Sequence, residues 1–106
     1  MEPADEPYEV AESLAIQGRL AEAGAALRRI PNIGDRRLVA AARCEEIADR
    51  LADSQPKAAR WFYGRVIREY EAFAQSSGCA LEGYERWGMV DAVKGKLSRI
   101  SKGRRL

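Results

Sequence analysis

The chain has 106 residues, a formal net charge of +2 and no histidine. Apolar residues make up 46% and charged residues 32%, the balance of a globular domain; the length sets one domain. The missing histidine removes the commonest general base and metal ligand, and no run approaches the ~20 apolar residues of a membrane span.

The sequence predicts five helices and no strand. Helix one is expected from near Tyr8 to Gln17, with Val10, Ala11, Leu14 and Ala15 on one face. Residues 1–7 are acidic and proline-broken, and read as a flexible lead without the pattern of a secretory signal. Gly18 ends the first helix, since glycine tolerates the left-handed conformation of a helix C-terminus. Helix two is expected over Leu20–Ile30, with Leu20, Ala23, Leu27 and Ile30 inward, and Pro31 forbids its continuation. Pro31-Asn32-Ile33-Gly34 has turn chemistry, and Asp35 suits the N-cap of helix three. That helix runs to about Ala52 with Val39 or Ala40, Cys44, Ile47, Ala48 and Leu51 as its stripe.

Asp53-Ser54-Gln55 reads as a turn, and Pro56 suits a first helical position. Helix four follows to about Gln75, carrying Ala59, Phe62 or Tyr63, Val66, Ile67, Tyr70 and Phe73, and Ser76-Ser77-Gly78 ends it. Helix five is expected from Ala80 to Ile100 through Leu81, Tyr84, Trp87, Val90 or Asp91, Leu97 and Ile100, with Gly88 and Gly95 as points of weakness. A single helical domain over 8–100 and a frayed basic tail over 101–106 complete the organisation. The predicted fold is all-α: antiparallel helical hairpins with a C-terminal capping helix, either as stacked hairpins or as a compact bundle.

The chain resembles the tetratricopeptide repeat family on Ala11, Gly18, Leu20, Glu22, Ala23, Leu27 and Ile30. A looser second unit falls on Cys44, Ile47, Ala48, Leu51, Ala59, Tyr63 and Val66, without a glycine at its turn, and Tyr84 to Gly88 reads as a third pair or a cap. The resemblance implies a scaffold that holds another protein. Each hairpin needs a neighbour to cover its apolar face, so a second copy of the chain is one candidate partner.

Charge is unevenly placed. Residues 1–55 carry eleven acidic and seven basic side chains; residues 56–106 carry five and eleven. Glu12, Glu45, Glu46, Asp49 and Asp53, with Glu9, are expected to point near one groove suited to a protein with a basic surface; the plainer reading is a solvated face relieved by Arg43 and Arg50. Trp61-Phe62-Tyr63 cannot all face one core at 100° per residue, so Trp61 is expected partly exposed and is a candidate partner anchor. Lys94, Lys96, Arg99, Lys102, Arg104 and Arg105 form a basic set able to meet phosphates, the alternative being a solvated tail.

Catalysis is not expected, and neither is a cofactor or a metal. Lys96 follows Gly95 but lacks a phosphate loop around it. Glu45 and Glu46 diverge on a helix, and Cys44 sits where a thiol usually packs. Cys44 and Cys79 lie far apart and read as free thiols of a reducing cytoplasm, with one bridge between them as the alternative. The function expected is a non-catalytic protein-binding module acting as adaptor, chaperone or inhibitor, with nucleic-acid binding through the basic half as the alternative.

Overall fold

The computed structural model describes residues 6–30, 36–75 and 83–103, with side chains placed for 6–30, 38–75 and 87–100. Five helices follow one another: α1 Glu6–Ile16, α2 Leu20–Arg28, α3 Arg36–Leu51, α4 Pro56–Gln75 and α5 Gly83–Gly103. No strand occurs among the described residues. The expected Asp35 cap, the Ser76–Gly78 stop and Cys79 lie outside them, as do residues 1–5, the positions of Arg104 and Arg105, and the side chains of Tyr84 and Lys102.

Helix α1 starts at Glu6, ahead of the expected Tyr8. Pro7 is tolerated there because the first helical amides have no intrahelical acceptor, and Glu6 and Glu9 in the first turn complement the helix dipole. Gly18 ends it with a φ of +82°. The Arg19 amide donates to the Leu14 carbonyl at 2.9 Å and the Gly18 amide to the Ala15 carbonyl at 3.0 Å, the paired bonds of a Schellman motif. Arg19 then opens α2 without a side-chain cap. Instead its Nε donates to Glu22 Oε1 at 2.8 Å while Nη2 reaches Oε2, placing a carboxylate in the positive first turn. Helix α2 closes at Arg28, short of the expected Ile30: the Arg29 and Ile30 amides bond back three residues, to Ala26 and Leu27, and tighten the last turn.

Helices α3 and α4 form the second hairpin. Ala59 donates to the Gln55 carbonyl at 3.0 Å and Gln55 to Leu51 at 2.7 Å, so Pro56 occupies a position that needs no donor. Helix α4 is the centre of the molecule, packing against α3 and α5 and also touching α1. Phe62 and Val66 are fully enclosed, and Ala58, Ala59, Tyr63, Tyr70 and Ala74 are buried with them. Phe62 and Tyr63 were expected as alternatives; both are inside, because α4 is covered on more than one face. Trp61 is half-buried, meeting Phe62 edge-on with ring centroids 5.0 Å apart.

Helix α5 runs unbroken through Gly88 and Gly95 and on to Gly103, so residues 101–103 are helical rather than tail. Val90 and Val93 are its enclosed residues; Val93 had not been singled out. Three expected or candidate inward positions are exposed: Leu20 and Trp87, each about 40% accessible, and Val39 at 61%; Ile16, which had not been assigned inward, is 41% accessible. Ile16 and Leu20 flank the α1–α2 turn, where each helix ends and neither covers the other. On α3 the buried register is Ala41, Cys44, Ile47, Ala48 and Leu51, which turns Val39 outward.

The hairpin crossings are made of small residues. Ala11, Ala15, Ala23 and Ala26 are buried between α1 and α2 and their neighbours, with Ala23 at 0% exposure. Ala23→Leu is expected to lose about 1–3 kcal/mol through overpacking. Gly18→Val meets open space but loses about 1–2 kcal/mol to the left-handed backbone alone. Urea denaturation of both variants checks this, and a melt of either that superimposes on wild type contradicts the close crossing or the turn.

Candidate functional site

Helix α3 buries one stripe, and its polar residues fall on the two flanks of that stripe. Glu45 and Asp49, one turn apart, face the side where α4 and α5 lie. Arg43, Glu46 and Arg50 face α1. Because successive residues are rotated by about 100°, the acidic set expected in one groove divides between two.

On the first flank three helices meet around Lys96. Its ammonium donates to Glu45 Oε2 at 2.6 Å and to both Asp49 carboxylate oxygens at 3.2 Å. From α4 the Tyr70 hydroxyl donates to Glu45 Oε1 at 3.0 Å, and the Tyr63 hydroxyl donates to Asp49 Oδ1. The antiparallel course of α3 and α4 sets the order, Tyr63 with Asp49 and Tyr70 with Glu45; the tyrosines are two turns apart and the carboxylates one, so the side chains converge to meet. Lys96 holds its proton above the ordinary 10.5, chiefly through the bond to Glu45 and against a smaller effect of burial. Burial, followed for Tyr63 by its bond to Asp49 and for Tyr70 by the charge of Glu45, pushes both phenols well above 10.0. Both tyrosines had been assigned to packing; their hydroxyls anchor the carboxylates, a pairing between two helices that no pattern within either one signals.

Beside this junction lies an open groove of about 500 Å³ between the end of α3, the start of α4 and the last turns of α5. Ala52, Pro56, Tyr63 and Ile100 supply its apolar lining. Asp49 and Asp53 stand on one side, Lys96 and Arg99 on the other element. The groove thus gathers two residues from the acidic set and two from the basic set. Asp53 and Arg99 are exposed, and neither has a hydrogen bond or ion pair among the described residues.

The second flank forms a smaller groove of about 220 Å³ with α1, holding Tyr8, Glu9, Glu12, Arg43, Glu46 and Arg50. Arg50 pairs with Glu12 at 2.6 Å, and the Arg43 guanidinium lies 5.2 Å from the centre of the Tyr8 ring. Glu9 and Glu46 are exposed beside them. Elsewhere Lys94 is 3.6 Å from Glu71, and Trp61 carries the Arg65 guanidinium 5.3 Å from its ring centre. Lys102 belongs to the last turn of α5.

Cys44 is a free, buried thiol, held protonated by burial, which raises it from 9.0 to about 11. A thiol so placed is a poor nucleophile at neutral pH. No group of three or more His, Cys, Asp or Glu residues suited to a metal ion occurs among the described residues. No family model matches this chain, and no curated protein or solved structure matches it.

All four raised groups give one sign of pH dependence. Each binds its proton more tightly folded than unfolded, so its contribution is complete below its ordinary pKa and is lost as pH climbs through the folded value. Unfolding free energy should therefore fall from about pH 9, where unfolded Cys44 ionises, and more steeply above 10, as Tyr63, Tyr70 and Lys96 join. Cys44→Ala should remove the earliest part of that fall, about 2–3 kcal/mol by pH 11. Lys96→Met should cost roughly 1–3 kcal/mol at neutral pH by leaving Glu45 and Asp49 without their cation. Urea titrations between pH 7 and 11 measure both; a pH-independent wild type contradicts the assignment.

Proposed function

We propose that this chain is a small non-catalytic module that binds a partner protein, as an adaptor, chaperone or inhibitor does, and that the partner's polypeptide seats in the groove between the end of α3 and α5. The observation that carries this reading is the pair Asp53 and Arg99: two exposed, opposite charges without partners among the described residues, set around an apolar lining. Interfaces combine an apolar centre with a polar rim, and opposite charges on the rim fix orientation and speed association. A cationic side chain of the partner meets Asp53, an acidic one meets Arg99. The resemblance of residues 11–30 to tetratricopeptide hairpins supports the same class of activity.

Pairing within the molecule weighs against nucleic acid. Lys96 is engaged by Glu45 and Asp49 and Lys94 by Glu71, so within the basic set Arg99 is the one described cation without a carboxylate. Asp49 and Asp53 line the groove that a phosphate backbone would have to enter, and like charges repel it. No helix among the described residues is long and apolar enough to cross a membrane.

Affinity capture from the native host tests the proposal, using wild type beside Asp53→Lys and Arg99→Glu. Both sites are exposed, so melting temperatures should stay within a degree or two of wild type. A captured protein should be lost or weakened roughly tenfold or more in each variant. Recovery of the same protein by both variants would sink the groove. Recovery of nucleic acid, with affinity falling steeply with salt, would replace the reading with the alternative one.

A further inference from the structure

The side of α4 away from that groove carries a different feature. A partly open cleft of about 170 Å³ lies where α2, α3 and α4 come together. Leu27, Ile30, Ala41, Cys44 and Val66 make its apolar wall, with Tyr8 from α1. Its origin is the small side chains of α3: Ala40, Ala41 and Cys44 do not fill the space left by Leu27 and Val66. An apolar cavity of about 150 Å³ admits a benzene-sized molecule, so this cleft has room for a body of about six carbons, which would displace water from its apolar wall.

Two guanidinium groups stand at its mouth. Arg28 and Arg65 both line the cleft, and their Nη1 atoms each lie 3.7 Å from the position a Cβ would take on Gly24. They are therefore close neighbours, and neither has a carboxylate partner among the described residues. The absent side chain at Gly24 leaves them that space. Adjacent like charges repel, and an anion between them removes the repulsion while accepting charge-assisted hydrogen bonds. Glu69 is the remaining charge on the lining; it has an interaction of its own and disfavours a dianion. Cation pair, single carboxylate and small apolar wall together define the ligand.

We infer that the α2–α3–α4 cleft binds a small amphipathic monoanion, a carboxylate on a short apolar body, with Arg28 and Arg65 holding the carboxylate and the cavity holding the body. The site shares no residue with the α3–α5 groove, so it stands or falls apart from the protein-binding reading.

Trp61 reports on the site directly. Its Cζ2 lies 3.9 Å from the same Gly24 position, and Arg65 stacks on its ring. In a Trp87→Phe background, Trp61 emission is titrated with hexanoate, hexyl phosphate, hexanol and hexylamine. Hexanoate should shift the emission saturably, hexyl phosphate more weakly, and hexanol and hexylamine not at all in the same range. Arg28→Gln, an exposed change on α2, should weaken hexanoate roughly tenfold, and Arg65→Met likewise. Ala41→Phe should abolish binding by filling the cavity; if it does not fold, the Arg28→Gln and Arg65→Met comparisons decide. Equal response to hexanoate and hexanol, unchanged affinity in both arginine variants, tighter binding of hexyl phosphate, or no saturable response to any probe would each overturn the inference.

Discussion

Everything in this molecule rests on α4 being covered on several faces at once. Phe62, Tyr63, Val66 and Tyr70 lie on adjoining sides of one helix, and all are buried because α3, α5 and α1 converge on it. A helix with a single covered face would expose one of the adjacent pair Phe62 and Tyr63. Neighbours approach this closely because their contact residues are small. Ala11, Ala41, Ala48 and Ala59 are almost wholly enclosed, and each replaces a long side chain with backbone-to-backbone proximity. The same economy of volume leaves the cleft beside Cys44 unfilled.

Burying so much of α4 creates an electrostatic obligation. The hydroxyls of Tyr63 and Tyr70 reach the edge of the core and need acceptors there. Glu45 and Asp49 provide them, and two carboxylates so close need a cation. Lys96 supplies it from α5. The acidic half of the sequence and its basic half thus meet at this junction.

Other charged residues line concave surfaces. Asp53 and Arg99 flank one groove, Glu9 and Glu46 another, and Arg28 and Arg65 the mouth of the apolar cleft. The described thiol, Cys44, is kept protonated inside the core.

Much of the fold was legible in the sequence because its signals are local. Gly18 and Pro56 mark helix ends through backbone rules that need no neighbour, and the 3.6-residue period of Ala11, Leu27, Cys44, Ile47 and Val66 marks inward faces. Val39 against Ala41, Leu20, and the coverage of both Phe62 and Tyr63 were not legible, because each depends on where a neighbouring helix ends or how many helices arrive. The site divides the same way. The sequence by itself determined which charges exist and that Glu45 with Asp49, or Glu46 with Arg50, share a helical stripe. Only the tertiary structure decided which stripe is answered by Lys96 and which faces α1. Side-chain pairing across 47 or 51 residues of chain depends on the relative placement of whole helices, and periodicity within one helix carries no information about that.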